Sequence, residues 1–277
     1  MERLFQGGQN LKFEKVIVEE DGEDERLVWI KLNYPERFNV LHLNLLNELY
    51  ECLVGADKND NVQAMLVTGV GKAFCAGADL KELMANDFER GVRWLKAYWR
   101  VIEIIRETGK PVIAAVKGAC VAGGHEIAMA CDLVVAGKSA KLGQPEIHVG
   151  STAMGLGLQL LPLVVGEKRA REMLFTGRLL SAEEGYQFGL VNRVVEDEKV
   201  DEEARKLAIQ IIDNASPQAF RVMKSGLKFW TDQAMLNMML ARDVTSMVWT
   251  SEEFRQRCKE FLEKKRMKPR KFTGTAP

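Results

Sequence analysis

The hydrophobic positions in the first part of the chain predict two strands followed by a helix. Residues 13–19 and 27–32 are rich in β-branched and aromatic side chains, and a charged turn separates them, which is typical of a β-hairpin. After the break at Tyr34-Pro35, apolar residues recur at helical spacing. These residues are Leu43, Leu46, Leu49, Tyr50 and Leu53.

Farther along, apolar strands alternate with glycine loops and helical patterns. The predicted strands are residues 62–68, 111–116, 133–136 and 188–195. The glycine loops at 71–79 and 118–124 each follow a strand and lead into a helix, the second of them at 126–131. This alternation predicts an α/β fold.

Beyond Asp201 the pattern is helical and shows no strand signal. We therefore predict an α/β core over residues 1–200 and a helical C-terminal region over residues 201–277. The end of the chain after Lys268 is basic and contains two prolines, so we expect it to be frayed.

The overall composition limits the classes of partner. The chain has 277 residues, which suits one large domain with an appendage, because single cores stop growing at roughly 250–300 residues. Lys plus Arg and Asp plus Glu both number 39, so no excess of positive charge favours nucleic acid or an anionic membrane. No apolar run reaches the ~20 residues that a membrane span needs.

The cysteines and the N-terminal residues favour a reducing compartment. Five cysteines at wide spacing, with no CxxC pair, argue against a disulfide framework and against a zinc site. The first sixteen residues lack the apolar core of a signal peptide. We therefore expect a cytoplasmic protein without a bound metal.

The two glycine loops and two carboxylates are the candidate chemistry. Backbone N–H groups at a helix start can bind an anion or a developing negative charge, but neither loop has a nucleotide-binding motif. Glu126 follows Gly123-Gly124 at a helix start, and Glu146 lies in a loop after a proline. Favourable interaction with the helix dipole would explain Glu126, and solvation would explain Glu146, so the residues alone leave structural roles open.

Several ordered motifs resemble the enoyl-CoA hydratase/isomerase (crotonase) superfamily. They are 72–79 (KAFCAGAD), 110–116 (KPVIAAV), 123–132 (GGHEIAMACD) and 143–150 (GQPEIHVG), followed by similar segments at 165–170, 189–191 and 261–266. The resemblance implies a spiral of ββα units with a helical C-terminal trimerisation region. It also implies a homotrimer or a dimer of trimers, and no separate cofactor, since coenzyme A is part of the substrate.

The resemblance also implies a reaction. The backbone N–H groups of Ala78 and Gly123 would form an oxyanion hole for the thioester carbonyl, and Glu126 and Glu146 would flank a water. One glutamate would accept a proton from water as its oxygen adds to Cβ, and the other, Glu146, would exchange the proton at Cα. Isomerases of the family commonly keep only the second, so the presence of both favours a hydratase.

Further residues are implied in binding the acyl-CoA. Residues 76–79 resemble the segment that wraps the CoA adenine, and the stretch around Arg37 and Val40 resembles the other CoA edge. The region from Met84 through the following aromatic helix would shape the acyl pocket, although core packing explains it equally well. The full expected set is Arg37, Val40, Ala76, Gly77, Asp79, Leu80, Met84, His125 and Ser151.

Three departures from the hydratase pattern concern the acyl group. Ala122 replaces the first of three glycines, His125 precedes Glu126, and residues 150–157 contain no proline where the hydratase pattern usually has one. The Gly-Gly-His and Val-Gly-Ser pieces resemble dihydroxynaphthoyl-CoA synthases and alicyclic ring-opening hydrolases, which commonly lack the Pro-Glu pair kept here. A cyclic or bulky acyl group is therefore a hypothesis.

The first reading is a hydro-lyase that adds water to an α,β-unsaturated acyl-CoA. The alternatives are a CoA-thioester isomerase, a CoA-thioester hydrolase or a ring-opening hydrolase on the same scaffold, and a non-catalytic structural or RNA-binding relative. The two glutamates and both oxyanion loops argue against the non-catalytic alternative.

Overall fold

The computed structural model describes residues 13–236, 238–265 and 271. The strands are β1 Val16–Glu20, β2 Leu27–Leu32, β3 Ala64–Gly69, β4 Ala73–Cys75, β5 Val112–Val116, β6 Ala119–Val121, β7 Leu133–Gly137, β8 Lys141–Gly143, β9 Leu180–Ser181 and β10 Arg193–Val195. The helices are α1 Leu43–Lys58, α2 Leu80–Met84, α3 Phe88–Glu107, α4 Gly123–Ala130, α5 Gly157–Val165, α6 Glu167–Thr176, α7 Ala182–Gln187, α8 Val200–Asn214, α9 Pro217–Asp232, α10 Met238–Thr250 and α11 Glu252–Leu262. The first twelve residues and, apart from Lys271, the basic tail lie outside the described residues, so the expectations made for them stay predictions.

The strands form two sheets. The larger has the order β1-β2-β3-β5-β7-β10, with an antiparallel hairpin at β1 and β2 and parallel pairing elsewhere. The smaller has the order β4-β6-β8-β9, and only β8 and β9 pair antiparallel. The predicted hairpin is confirmed.

The central strands of the larger sheet are covered on both faces. In β3, Met65 and Val67 pack into the main core, whereas Ala64 and Leu66 pack into a second cluster that includes residues of α8. Alternate side chains of a strand point to opposite faces, so a doubly covered strand must be apolar throughout. This explains the uninterrupted apolar runs in the sequence.

A repeated ββα unit organises the core. In each of the pairs β3–β4, β5–β6 and β7–β8, the first strand joins the larger sheet, the second joins the smaller, and a helix follows. The predicted α/β class is confirmed. The repeat places the glycine loop after β4 and the glycine loop after β6 next to each other, because β4 and β6 pair in parallel.

Some element boundaries differ from the prediction. The two glycine loops contain the three-residue strands β4 and β6, which are too short to show a period. Phe188 is the cap residue that follows α7 and does not begin a strand, and within 188–195 only Arg193–Val195 forms a strand. The helical stretch after the first loop is two helices, because the Asp87 side chain caps the start of α3 by accepting from the Arg90 N–H.

Between Val200 and Leu262 the described residues form the helices α8, α9, α10 and α11 with short connections. Helix α8 packs on the larger sheet, with Ala204 and Ala208 fully buried there. The division of the chain at residue 200 therefore follows secondary structure, and as a domain boundary it stays a prediction. Among the described helices, none combines the length and the apolar character needed to cross a membrane.

Candidate active site

The loop after β4 and the loop before α4 touch at Gly77. A Cβ on Gly77 would lie 2.7 Å from Cβ of Ala122 and 3.5 Å from the backbone nitrogen of Gly123. Gly77 also has a φ of +86°, so glycine is required for both its conformation and its close approach. The backbone around it is fixed, since Leu41 donates to Gly77 O and Asp79 donates to Leu41 O, both at 2.8 Å.

Two backbone N–H groups in these loops are unengaged. Among the hydrogen bonds of the described residues, none is donated by the N–H of Ala78 or by that of Gly123. Gly123 is the first residue of α4, where the helix dipole adds positive potential. Two free donors at the meeting point of two loops can bind a carbonyl oxygen that gains negative charge.

Ala122 holds the second loop in a conformation that favours glycine. Its φ is 53° and its ψ is −130°, a region that side chains with a Cβ rarely occupy. The strain falls on the residue just before Gly123, and its cost is about 1–3 kcal/mol for residues of this kind.

We expect Ala122→Gly to raise the free energy of unfolding by about 1 kcal/mol, because relief of strain outweighs the added entropy of glycine in the unfolded chain. Chemical denaturation measures the change. The matched control is Ala208→Gly in the buried middle of α8. This variant should lower the free energy of unfolding by about 1 kcal/mol or more. Destabilisation of both variants to the same extent would show that Ala122 is unstrained.

Glu126 is enclosed and strongly hydrogen-bonded. Its residue surface is only 3% exposed. Oε1 accepts from the backbone N–H of Leu156 at 2.7 Å and of Gly157 at 2.6 Å, and Oε2 accepts from the Tyr98 hydroxyl at 2.8 Å. Three donors hold this carboxylate in one orientation.

Two glycines make room for that carboxylate. A Cβ on Gly155 would lie 2.4 Å from Oε2 of Glu126, and one on Gly157 would lie 3.2 Å from Oε1. Any side chain at 155 would therefore displace Glu126. The segment Gly155-Leu156-Gly157 therefore packs closely against the Glu126 carboxylate.

Glu146 is connected to His125 through Gln144. With its amide nitrogen toward Glu146, Gln144 donates to Oε1 at 2.8 Å and Oε2 at 3.2 Å, and its oxygen accepts from Nδ1 of His125 at 3.1 Å. Turned over, the amide oxygen faces Glu146 and suits a protonated carboxyl group. Gln144 can therefore hydrogen-bond either protonation state of Glu146.

The electrostatic environments of Glu126 and Glu146 favour different protonation states of their carboxyl groups. Burial raises the pKa of Glu126, but the hydrogen bonds from Gly157, Leu156 and Tyr98 oppose this by stabilising the ionised form. Burial, and then the negative charge of Glu126, raise the pKa of Glu146 well above its usual value. Such a pair can hold one proton on Glu146 while Glu126 stays ionised.

The residues expected at the CoA edges come together. Ala76 N donates to Phe38 O at 3.0 Å and Leu41 N donates to Gly77 O at 2.8 Å, so the two segments run side by side. Within the first segment, Val40 N donates to Arg37 O at 3.3 Å. The Arg37 guanidinium pairs with both oxygens of Asp79, at 3.0 and 2.9 Å. Asp79 also caps α2, whose first residue is Leu80, by accepting from Lys81 N at 2.9 Å.

An aromatic cluster fills the space next to Glu126. Tyr98 stacks on Trp94 with ring centroids 5.4 Å apart, and Trp249 from α10 meets Trp94 edge-on at 5.5 Å. Trp249 Nε1 donates to the Ser151 hydroxyl at 2.8 Å. Met84 is half-buried at the end of α2 and packs against the core, so its place in an acyl pocket stays a prediction.

Sequence reasoning missed three parts of the site. Tyr98 was expected only as part of an acyl-pocket helix, and Gln144 and the N–H groups at 156 and 157 were not singled out. The paired Gly155 and Gly157 were the available signal for the N–H groups, because glycines mark close backbone approach. The described residues contain no group of three His, Cys, Asp or Glu side chains that could hold a metal ion.

Comparison with known proteins gives consistent matches. The family model described as enoyl-CoA hydratase/isomerase matches residues 22–271. The chain is 32% identical over 262 residues to a crotonyl-CoA hydratase of Syntrophomonas wolfei, covering 92% of this chain and 98% of that protein. It is 39% identical over 215 residues to a mitochondrial enoyl-CoA hydratase of Pongo abelii, covering 77% and 72%.

Solved structures match as well. The fold is similar to an enoyl-CoA hydratase/isomerase from Mycobacterium paratuberculosis, with a TM-score of 0.81 at 28% identity, covering 89% of this chain and 98% of that one. The fold is also similar to an enoyl-CoA hydratase subunit from Geobacillus kaustophilus, with a TM-score of 0.74 at 33% identity, covering 95% of this chain and 99% of that one.

Proposed function

The chain belongs to the enoyl-CoA hydratase/isomerase family, and from that premise we propose that it is an enoyl-CoA hydratase, a hydro-lyase that adds water syn across the double bond of an α,β-unsaturated acyl-CoA. One observation carries the proposal: the buried carboxyl group of Glu126 and the half-buried carboxyl group of Glu146 lie in a site that also presents two unengaged backbone N–H groups.

The proposed reaction begins at the oxyanion hole. The thioester oxygen accepts hydrogen bonds from Ala78 N–H and Gly123 N–H, which stabilise the enolate character that develops as Cβ is attacked. Ionised Glu126 takes a proton from water while the water oxygen bonds to Cβ. Protonated Glu146 gives its proton to Cα, so the proton count of the pair is unchanged.

Acyl-CoA binding is proposed for the two segments that run side by side at residues 37–40 and 76–80. Because Arg37 is already paired with Asp79, we assign it to shaping the edge of the site instead of binding a phosphate. The chain's formal net charge of zero gives no support to a nucleic-acid or membrane partner. The five free, buried cysteines support a cytoplasmic location.

Within the proposed hydratase function, the acyl group of the substrate could be linear, or cyclic and bulky. His125 and Ser151, which suggested a ring substrate, contact Gln144 and Trp249 beside the carboxylate pair. The hypothesis of a cyclic or bulky acyl group stays a prediction. Comparing kcat/KM for crotonyl-CoA and for a cyclohexene-carboxyl-CoA tests it, and a large preference for the linear substrate would contradict it.

We propose a homotrimer or dimer of trimers built on α9 and α10. These helices and the residues between them carry many exposed apolar side chains, a pattern that marks an interface. They are Val222, Met223, Leu227, Phe229, Trp230, Leu236, Met239, Leu240, Val244 and Met247.

Light scattering is expected to give the mass of a trimer or hexamer. The double variant Leu227→Glu/Trp230→Glu should shift the protein to smaller species, because it places charge in a desolvated contact. Phe175→Glu, at an exposed apolar position on α6, should keep at least the trimer. A monomeric wild-type protein would contradict the proposal.

Incubation with crotonyl-CoA tests the proposed activity. Loss of the conjugated thioester absorbance without release of free CoA is the expected result. Release of a free thiol would favour the alternative of a CoA-thioester hydrolase, and an unchanged spectrum would favour an isomerase or a non-catalytic relative.

A further inference from the structure

The Tyr98 hydroxyl bridges two groups on the first turn of α4. Its oxygen lies 2.8 Å from Oε2 of Glu126 and 2.9 Å from the carbonyl oxygen of Gly123. Tyr98 itself lies on α3, is 1% exposed and is held by stacking on Trp94. One side chain thus ties the proposed base to the residue whose N–H is a proposed oxyanion donor.

Two acceptors compete for a single proton. A phenol hydroxyl donates one hydrogen, so it can bond fully to Glu126 or to Gly123 but not to both. An ionised carboxylate is the stronger acceptor. The protonation state of Glu126 therefore decides whether the Tyr98 hydroxyl donates to Glu126 or to the Gly123 carbonyl.

The lone pairs of Glu126 show where a new proton would go. Oε1 accepts from two backbone N–H groups, which occupy both of its lone pairs. Oε2 accepts only from Tyr98, so one lone pair stays free for water. The proton of water must therefore arrive at Oε2, the same oxygen that Tyr98 contacts.

We propose that Tyr98 is a positioning residue whose hydroxyl donates to Oε2 while Glu126 is ionised, and turns to the Gly123 carbonyl once Oε2 has taken the proton of water. The inference rests on the proposed hydratase function and deepens it. No proton leaves Tyr98: the O–H rotates, and water's proton forms the new bond to Oε2. In dehydration the steps reverse, and the returning bond from Tyr98 helps Glu126 to release the proton.

Apart from Glu126 and Glu146, the titratable groups next to the Tyr98 hydroxyl are uncharged near neutral pH. Burial raises the pKa of Cys75, on β4, to about 12, and burial lowers the pKa of His125, behind Gln144, to about 4. Burial, and then the charge of Glu126, raise the pKa of Tyr98 itself. Glu126 and Glu146 are therefore the groups whose titration shapes the pH profile, and they titrate as a pair.

Tyr98→Phe tests the proposal through the pH dependence of kcat/KM for crotonyl-CoA. Removing a donor from the ionised form raises the pKa of Glu126, and the base must be ionised, so the acid limb should move to higher pH. The free energy of a hydrogen bond to a charged group is typically large enough to move the acid limb by roughly 1–2 pH units. The alkaline limb, governed by protonated Glu146, should move less.

The controls separate this role from a structural one. Tyr186→Phe, at an exposed position on α7, should leave the profile unchanged. A Tyr98 that acted only in packing would lower turnover equally at all pH values, and an unmoved acid limb in folded Tyr98→Phe would overturn the proposal. An inactive wild-type protein would instead reject the proposed function.

A second variant decides the case in which Tyr98→Phe does not fold. Incorporation of 3-fluorotyrosine at Tyr98 keeps the hydroxyl and makes it a stronger donor. The acid limb should then move to lower pH. A limb that stays in place or rises would contradict the bridge.

Discussion

Glu126→Gln is expected to lower kcat for the hydration of crotonyl-CoA by about 100-fold or more, the scale of a lost general base. The amide has the shape of the carboxylate, and its oxygen can still accept from the N–H groups of Leu156 and Gly157. It cannot take a proton from water. KM should change by only a few fold, because the oxyanion donors and the CoA edges are untouched.

Glu167→Gln is the matched control, since Glu167 lies at the exposed start of α6 and pairs with Arg171. It should retain full turnover. If Glu126→Gln also turned over at near the wild-type rate, Glu126 would have only a structural role, as its position in the first turn of a helix allows.

Glu146→Gln is expected to lower kcat for hydration to a similar extent, about 100-fold or more. It should also abolish a partial reaction that Glu126→Gln retains, the exchange of the Cα proton. In the proposed mechanism Glu146 transfers the proton to and from Cα. A saturated acyl-CoA in deuterated water should therefore exchange its Cα proton in the presence of wild-type protein, and Glu146→Gln should abolish that exchange.

Glu126→Gln is the natural comparison, because it should retain Cα exchange while losing hydration. Nuclear magnetic resonance of the recovered thioester measures the exchange. Exchange that survives in Glu146→Gln and disappears in Glu126→Gln would reverse the two roles.

The fold was largely predictable from the sequence wherever an element was long enough to show a period. The apolar runs of β3 and β5 reflect burial on both faces, and α1 shows its apolar stripe. The strands β4 and β6 were missed because three residues carry no period, and their pairing comes from distant segments. The ββα repeat is therefore clear in space, whereas the sequence shows no obvious repeat.

The candidate site was predictable in part. The motif resemblance, which the family match confirms, gave Glu126, Glu146, Ala78 and Gly123, and the structure places the two loops in contact. Their chemical roles stay proposals. Tyr98 lies 28 residues from Glu126 in sequence, so only folding brings its hydroxyl to the carboxylate. Ala122 also could not be recognised as strained without its backbone angles.

Addition of water to Cβ of an enoyl thioester is the reaction proposed for this site. The most direct measurement is the mass spectrum of the product formed from crotonyl-CoA in water enriched with heavy oxygen. We expect an intact CoA thioester that has gained one water, with the heavy oxygen as a hydroxyl on Cβ. Free CoA, with the heavy oxygen in a released carboxylate, would contradict it.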